Sequence, residues 1–537
     1  MINKAILEGI KSFSIALCSS TKSAAALENF MSMQHKFADL LKTTGNDLNQ
    51  ISATRKILIA NFEIARLGLQ ETLKIADTNT IDYKCFSYLI QLLWEYLNPK
   101  LNPCFYDELT SEQSLLGLLA TFGFIKIPNQ SYNDTFLLGE NVGTTAGAVI
   151  FENEVLQLLY FAPKTRQKKH IPIFIIPPWI NKYYIFDLNE EKSFIKWLLD
   201  KGISVYCISW VNPDRSFSKL GLHDYVVNGI GKSSQKARAH CHTDTLNYIG
   251  YCIGGVALTI YLASFQYRER PNAQSVTFLA TPFDFTKLDN LNLFISDEQL
   301  PLIENVISHK GLFSNEDMNH IFTMMRAKDL VFQEIINQIY LNKPRNPMDF
   351  LYWNADTTHL PGKMHLDYLR DVFLKNAFLT QQKRITTIDV DFTPTRTPTF
   401  ILGTTNDHIV PWQSSYEGLS LFIDSHFSLA GGGHVSGIIN HPLQNKYGFS
   451  IAETPMSTKT TAEGFSASSV KHEGSWWSYW ANWIDLHLGK NVPNKKENYA
   501  VIELTPGRYA KQKAPLIESL SSSDDSVLAC QNCLEGS

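Results

Sequence analysis

The chain has 537 residues, 44% of them hydrophobic and 12% aromatic, enough for a substantial core and for more than one domain. Its 48 lysines and arginines against 52 aspartates and glutamates leave a formal charge of −4, which argues against a nucleic-acid or anionic-membrane binder with concentrated basic residues. Eight cysteines scattered between Cys18 and Cys533 form no disulfide framework and fit a reducing compartment, so a cytoplasmic protein is expected.

At the N-terminus, the apolar stretch Phe13–Cys18 is too short and interrupted for a signal peptide. No apolar run reaches the ~18 residues a spanning helix needs, and no transmembrane segment is expected. From residue 26 to about 120, apolar residues recur at three- and four-residue steps, which predicts a helical N-terminal domain within residues 1–165. The texture then changes. Continuous β-branched runs appear at 171–178, 203–210, 244–250, 275–282, 397–403 and 426–432, separated by helix-length stretches. Such runs predict a mostly parallel sheet covered on both faces, an α/β core over about 166–515. The stretch between 282 and 397 is too long for an ordinary connection, and is read as an inserted helical cap over about 285–395. Residues 516–537 read as a disordered tail. Their Cys530-Gln-Asn-Cys533 has no second pair and points to no metal.

The stretch Gly250-Tyr251-Cys252-Ile253-Gly254 lies between an apolar strand and an apolar helix, and has the form of a nucleophile elbow with cysteine in the serine position. A turn this tight strains the nucleophile's backbone and leaves room only for glycine on either side. It also sets the sulfur at a helix N-terminus, whose partial positive charge favours a thiolate. A buried structural cysteine beside helix-packing glycines is the competing reading of the pentapeptide alone. The rest of the chain decides between them. A nucleophile needs a base and the base an orienting acid, in the order acid then histidine, each after a later strand. Asp407 follows one strand in "TFILGTTNDHIVPW" and His434 the next in "HFSLAGGGHVSG", where Gly431–Gly433 let the backbone bend. Cys252, Asp407 and His434 are therefore the expected triad on an α/β-hydrolase fold. The oxyanion hole is expected from the N–H of Ile253 and, from the loop after the first core strand, that of Ile180 or its neighbour. Asp356, inside the insertion, ranks below Asp407 as the acid. "GIGKSS" lacks the leading glycine of a phosphate loop, Val226 standing there, and the histidines have no metal-ligand spacing.

Taken together, "PPWINKYYIFDL", "GYCIGG", "FLYWNADTTHLPGKM", "NDHIVPW", "GGGHVSGIIN" and the C-terminal "GSWWSYWANWIDLHLG…TPGRY" resemble the polyhydroxyalkanoate synthases, the class I type above all. The resemblance implies polymerisation of (R)-3-hydroxyacyl-CoA, commonly 3-hydroxybutyryl-CoA, into a polyester with release of CoA. It implies no cofactor beyond the CoA thioester substrate. It implies a homodimer, location at the surface of storage granules and granule-associated proteins as partners. The family's catalytic residues fall on Cys252, Asp407 and His434, and its pocket residues on Trp353 and His408. Trp476, Trp477, Trp480 and Trp483, at helical spacing, are expected in the core, or else against polymer or a dimer partner. Two other functions use the same residues differently: a thioesterase or depolymerase with water as acceptor, and a non-catalytic granule-coat protein.

Overall fold

The structure is a computed structural model, and it describes residues 135–268, 271–325, 348–452, 461–495 and 499–514. The chain divides into two compact units, one of residues 1–135 and 318–348, the other of 136–317 and 349–537. Only Thr135, 318–325 and Met348 of the first are described. The helical N-terminal region and the tail at 516–537 lie outside the described residues.

The second unit is built on an 11-stranded sheet. Its centre is six parallel strands: β3 (Ile173–Ile176), β4 (Val205–Trp210), β5 (Leu246–Tyr251), β6 (Ala273–Leu279), β7 (Thr399–Thr404) and β8 (Ser425–Ala430). They correspond one for one to the six apolar runs. All residues of β3, β4, β5 and β7 are buried, which is why those strands read as unbroken apolar sequence rather than alternation. In space the six run β4-β3-β5-β6-β7-β8.

Antiparallel strands flank this centre. On one side β1 (Ala148–Glu152) and β2 (Leu156–Phe161) form a hairpin whose second strand pairs with β4, and β11 (Glu503–Leu504) adds to β1. On the other, β9 (Phe449–Ala452) and β10 (Ser469–His472) extend β8. The expected domain boundary after residue 165 falls inside this sheet. Because β2 is wholly buried against β4, the sheet-bearing unit begins at Phe136.

Each crossover sets a helix on the sheet. α1 (Phe194–Asp200) leads into β4, α2 (Lys232–Cys241) into β5, and α3 (Ile253–Ala263) leaves β5 with every residue buried. The long β6–β7 connection carries α4 (Leu300–Lys310), α5 (Asp349–Ala355) and α6 (Gly362–Tyr368), the described helices of the expected cap that belong to this unit. Near the C-terminus α7 (Trp476–Asp485) buries Trp476, Trp477 and Trp480. Their indole N–H groups donate to Gly437 O, Ile438 O and Thr277 Oγ1 at 2.9, 2.8 and 3.0 Å, so these tryptophans pack the core and pin the loop that follows His434.

Candidate active site

At the end of β5 the chain turns through Cys252 into α3. Cys252 has φ 51° and ψ −126°, a positive-φ conformation that costs a non-glycine residue of order 1–3 kcal/mol. The strain is held in place by its surroundings. The Cys252 N–H donates to Leu279 O at 2.9 Å, and the helix closes over the turn through Gly255 N–H to Cys252 O at 2.9 Å. A Cβ on Gly250 would lie 2.6 Å from Gly255 Cα, and one on Gly254 only 2.3 Å from Ile176 O and 2.6 Å from Pro177 O. The two glycines thus allow the turn to fold on itself and the start of α3 to dock on the loop after β3.

The acid and the histidine come from the next two strand ends. Asp407 follows β7, its side chain fully buried, and His434 follows β8, with 6% of the residue exposed. Their loops are joined by main-chain bonds from Thr405 N to Ala430 O and from Asn406 N to Gly432 O, both 2.9 Å. Gly432 sits at φ +95°, which lets the chain bend between strand and histidine. Asp407 Oδ2 lies 2.8 Å from His434 Nδ1 and accepts from Thr404 Oγ1 at 2.9 Å, while its Oδ1 accepts from Ile409 and Val410 N–H, each at 2.9 Å. On its other side the His434 imidazole lies near enough to Cys252 to feel a charge on the sulfur. The three residues read from widely separated motifs are therefore brought together, the imidazole bonded to the carboxylate and set beside the sulfur.

The electrostatics follow from burial and proximity. Burial would push the Asp407 carboxyl up, but the His434 ring and the two backbone donors outweigh it and hold it below its ordinary value. Burial alone would lower His434, yet Asp407 and the charge on Cys252 raise it to about 10. Two tyrosines frame the nucleophile. Tyr251 is stacked on the imidazole at 5.2 Å between ring centroids, and its hydroxyl donates to His434 O at 3.0 Å. Tyr368, from the cap helix α6, is close enough to Cys252 for a thiolate there to help raise its phenol, after burial itself. It also packs edge-on against Trp179 at 6.2 Å.

The remaining expected residues sort differently. Ile253 opens α3 directly after the sulfur, and Ile180 lies in the loop after β3, half-exposed, its carbonyl accepting from Thr358 N–H at 2.9 Å. His408 is half-buried beside Asp407. Trp353 is 3% exposed, and its indole N–H donates to Lys182 O at 2.7 Å, holding the backbone of the loop after β3. Asp356, the lesser candidate for the acid, is bound to Lys182 at 3.1 Å and Tyr184 at 2.8 Å. Among the described residues, no group of three or more His, Cys, Asp or Glu side chains is placed to hold a metal ion. Sequence reading missed Tyr251 and Tyr368. The first fills the unspecified position of the elbow motif; only its place one residue before the sulfur could have flagged it.

Similarity to known proteins agrees with this geometry. A family described as the N-terminus of poly-beta-hydroxybutyrate polymerase (PhaC) matches residues 117–198, and the alpha/beta hydrolase fold matches residues 172–440. A poly(3-hydroxyalkanoate) polymerase subunit of Cupriavidus necator is 33% identical over 401 residues, 72% of this chain and 67% of that protein. This chain belongs to the poly(3-hydroxyalkanoate) polymerase family. A member from Methylorubrum extorquens is 34% identical over 386 residues, covering 71% of this chain and 63% of the relative. Polymerase 1 of Ectopseudomonas oleovorans is 29% identical over 467 residues, 83% of this chain and 82% of its own. The match to the Methylorubrum polymerase thus spans less than two thirds of that relative's length.

Proposed function

We propose that this protein polymerises (R)-3-hydroxyacyl-CoA, with 3-hydroxybutyryl-CoA as the expected monomer, into polyhydroxyalkanoate with release of CoA. The observation that carries this reading is Cys252 at a strained elbow beside a His434–Asp407 pair, in a chain of the polymerase family. Cys252 Sγ attacks the thioester carbonyl, a new C–S bond forms, and the bond to CoA sulfur breaks. His434 accepts the thiol proton and returns it to the departing CoA thiolate. Thioester exchanges for thioester, so the acyl group is held without loss of activation. The 3-hydroxyl of the next unit then gives up its proton to His434, its oxygen attacks the held carbonyl, the C–S bond to Cys252 breaks, and the proton passes from His434 to the freed Cys252 sulfur. Asp407 fixes the imidazole tautomer, as a buried carboxylate on Nδ1 does in related triads. The N–H groups of Ile253 and Ile180 receive the oxyanion, each worth roughly 10²–10³ in rate.

Synthesis rather than hydrolysis demands that water be kept from the acyl-enzyme. Tyr368, near the sulfur, and Trp179 packed on its ring support this reading as apolar cover that favours the alcohol as acceptor. Among the described residues, no helix is long and apolar enough to cross a membrane. We place the protein at the surface of its own polymer in the cytoplasm. Purified protein given 3-hydroxybutyryl-CoA is expected to yield insoluble polyester and free CoA in step. Free 3-hydroxybutyrate with no polymer would instead assign a thioesterase.

A further inference from the structure

The loop after β3, residues 177–184, is clamped from the cap side by the short segment 353–358. Thr358 is the centre of the clamp. Its N–H donates to Ile180 O at 2.9 Å, and its hydroxyl donates to Trp179 O at 2.5 Å. The peptide joining Trp179 to Ile180 is planar and trans, so its C=O and N–H point in opposite directions. Holding Trp179 O from one side therefore aims Ile180 N–H to the other. Around this point Asn181 bridges Thr357, and Trp353 Nε1 holds Lys182 O at 2.7 Å.

A buried ion pair anchors the same loop two residues further on. Lys182, 4% exposed, lies 3.1 Å from Asp356 Oδ1, and its ammonium also donates to Ala510 O and Gln512 O, each at 2.7 Å. Asp356 Oδ2 accepts from Tyr184 at 2.8 Å. Two stretches far from it in sequence thus converge on this loop: the segment after α5 and the C-terminal strap 510–513. Nothing in the triad requires this. An ion pair removed from water has to be satisfied closely, and this one binds backbone carbonyls with nearly all its remaining capacity.

We propose that Thr358, Asp356 and Lys182 are positioning residues that hold Ile180 N–H on the oxyanion, with the 510–513 strap as part of the same latch. The inference rests on the reading of Cys252 as nucleophile and Ile180 as oxyanion donor. It implies that the cap and the C-terminus act on the stabilisation of the tetrahedral intermediate, not on the readiness of the sulfur.

Two reactions of the same cysteine separate these effects. Iodoacetamide alkylates Cys252 by displacement of iodide and builds no oxyanion, whereas attack on an acyl-CoA does. In Thr358→Val and Asp356→Asn, kcat for CoA release is expected to fall about 10- to 100-fold with KM changed less than about threefold, by the loss of a donor's aim. Alkylation of Cys252 should stay within about twofold of the unsubstituted protein, and Lys182→Arg should retain more kcat than Lys182→Met. Thr358→Val leaves the ion pair intact and keeps the test open where Lys182→Met does not fold. An unchanged kcat, or alkylation falling in step with CoA release, overturns the proposal. If alkylation of the unsubstituted protein leaves CoA release intact, the nucleophile reading itself fails, and the latch with it.

Discussion

Asp407→Asn isolates the role of the acid with little change of shape. In the folded protein its Oδ1 takes the N–H groups of Ile409 and Val410, and Oδ2 takes Thr404 and His434 Nδ1. An asparagine satisfies the two backbone donors with its own oxygen, which leaves its NH₂ facing the ring. That NH₂ can only donate, so Nδ1 must become the acceptor and the proton must move to Nε2. The ring nitrogen that should take the Cys252 proton is then already protonated. Where this tautomer error has been isolated in a related triad it costs about 10⁴ in kcat, or about 5 kcal/mol at 1.36 kcal/mol per tenfold. The fold should survive, because three of four bonds keep an acceptable partner; a thermal melt within a few degrees of the parent checks this. Initial rates of CoA release from 3-hydroxybutyryl-CoA, followed with a thiol reagent, give kcat. A loss smaller than about tenfold in well-folded protein would refute Asp407 as the residue that orients His434.

Other substitutions test neighbouring parts of the site. Gly254→Ala would set a Cβ 2.3 Å from Ile176 O, which neither backbone can yield cheaply, so both melting temperature and kcat should drop sharply; near-parent values would contradict the close docking of α3. Tyr251→Phe keeps the stack on the imidazole and loses the bond to His434 O; stability should fall by about 1 kcal/mol and kcat about 3- to 10-fold, by urea titration and CoA release. His434, raised from 6.5 to about 10, contributes stability that is complete below about pH 6.5 and is lost as pH climbs through about 10. The stability advantage of the parent over His434→Gln, read by urea titration, should therefore shrink steadily between pH 7 and 10.5, and an advantage that grows with pH would contradict the assignment.

The core of the fold was legible because its strands are buried on both faces and so read as unbroken apolar runs, while their ends carry glycine, proline and aspartate. The triad was legible for a related reason: each member stands just past a strand, in the chain order the topology dictates. The flank was not. "AVIFENEVLQLLYF" becomes a hairpin of the sheet only because Leu156–Phe161 pairs with Val205–Trp210 and Val149 meets Glu503, partners that local periodicity cannot name. The same holds for the clamp on the loop after β3. Thr358 and Asp356 lie more than 170 residues after Lys182 and the loop they hold, so only the folded chain brings them together. Trp353 belongs to the same clamp, its indole holding the backbone of Lys182.

The claim on which all of this depends is that Cys252 carries the growing acyl chain as a thioester. Rapid acid quench of the protein with 3-hydroxybutyryl-CoA, followed by digestion and peptide mass spectrometry, reads that bond directly. The account predicts a hydroxybutyryl adduct on the peptide containing Cys252, removed by neutral hydroxylamine and absent from Cys252→Ala. CoA release at full rate with that peptide unmodified, or with the acyl group on another residue, would contradict it.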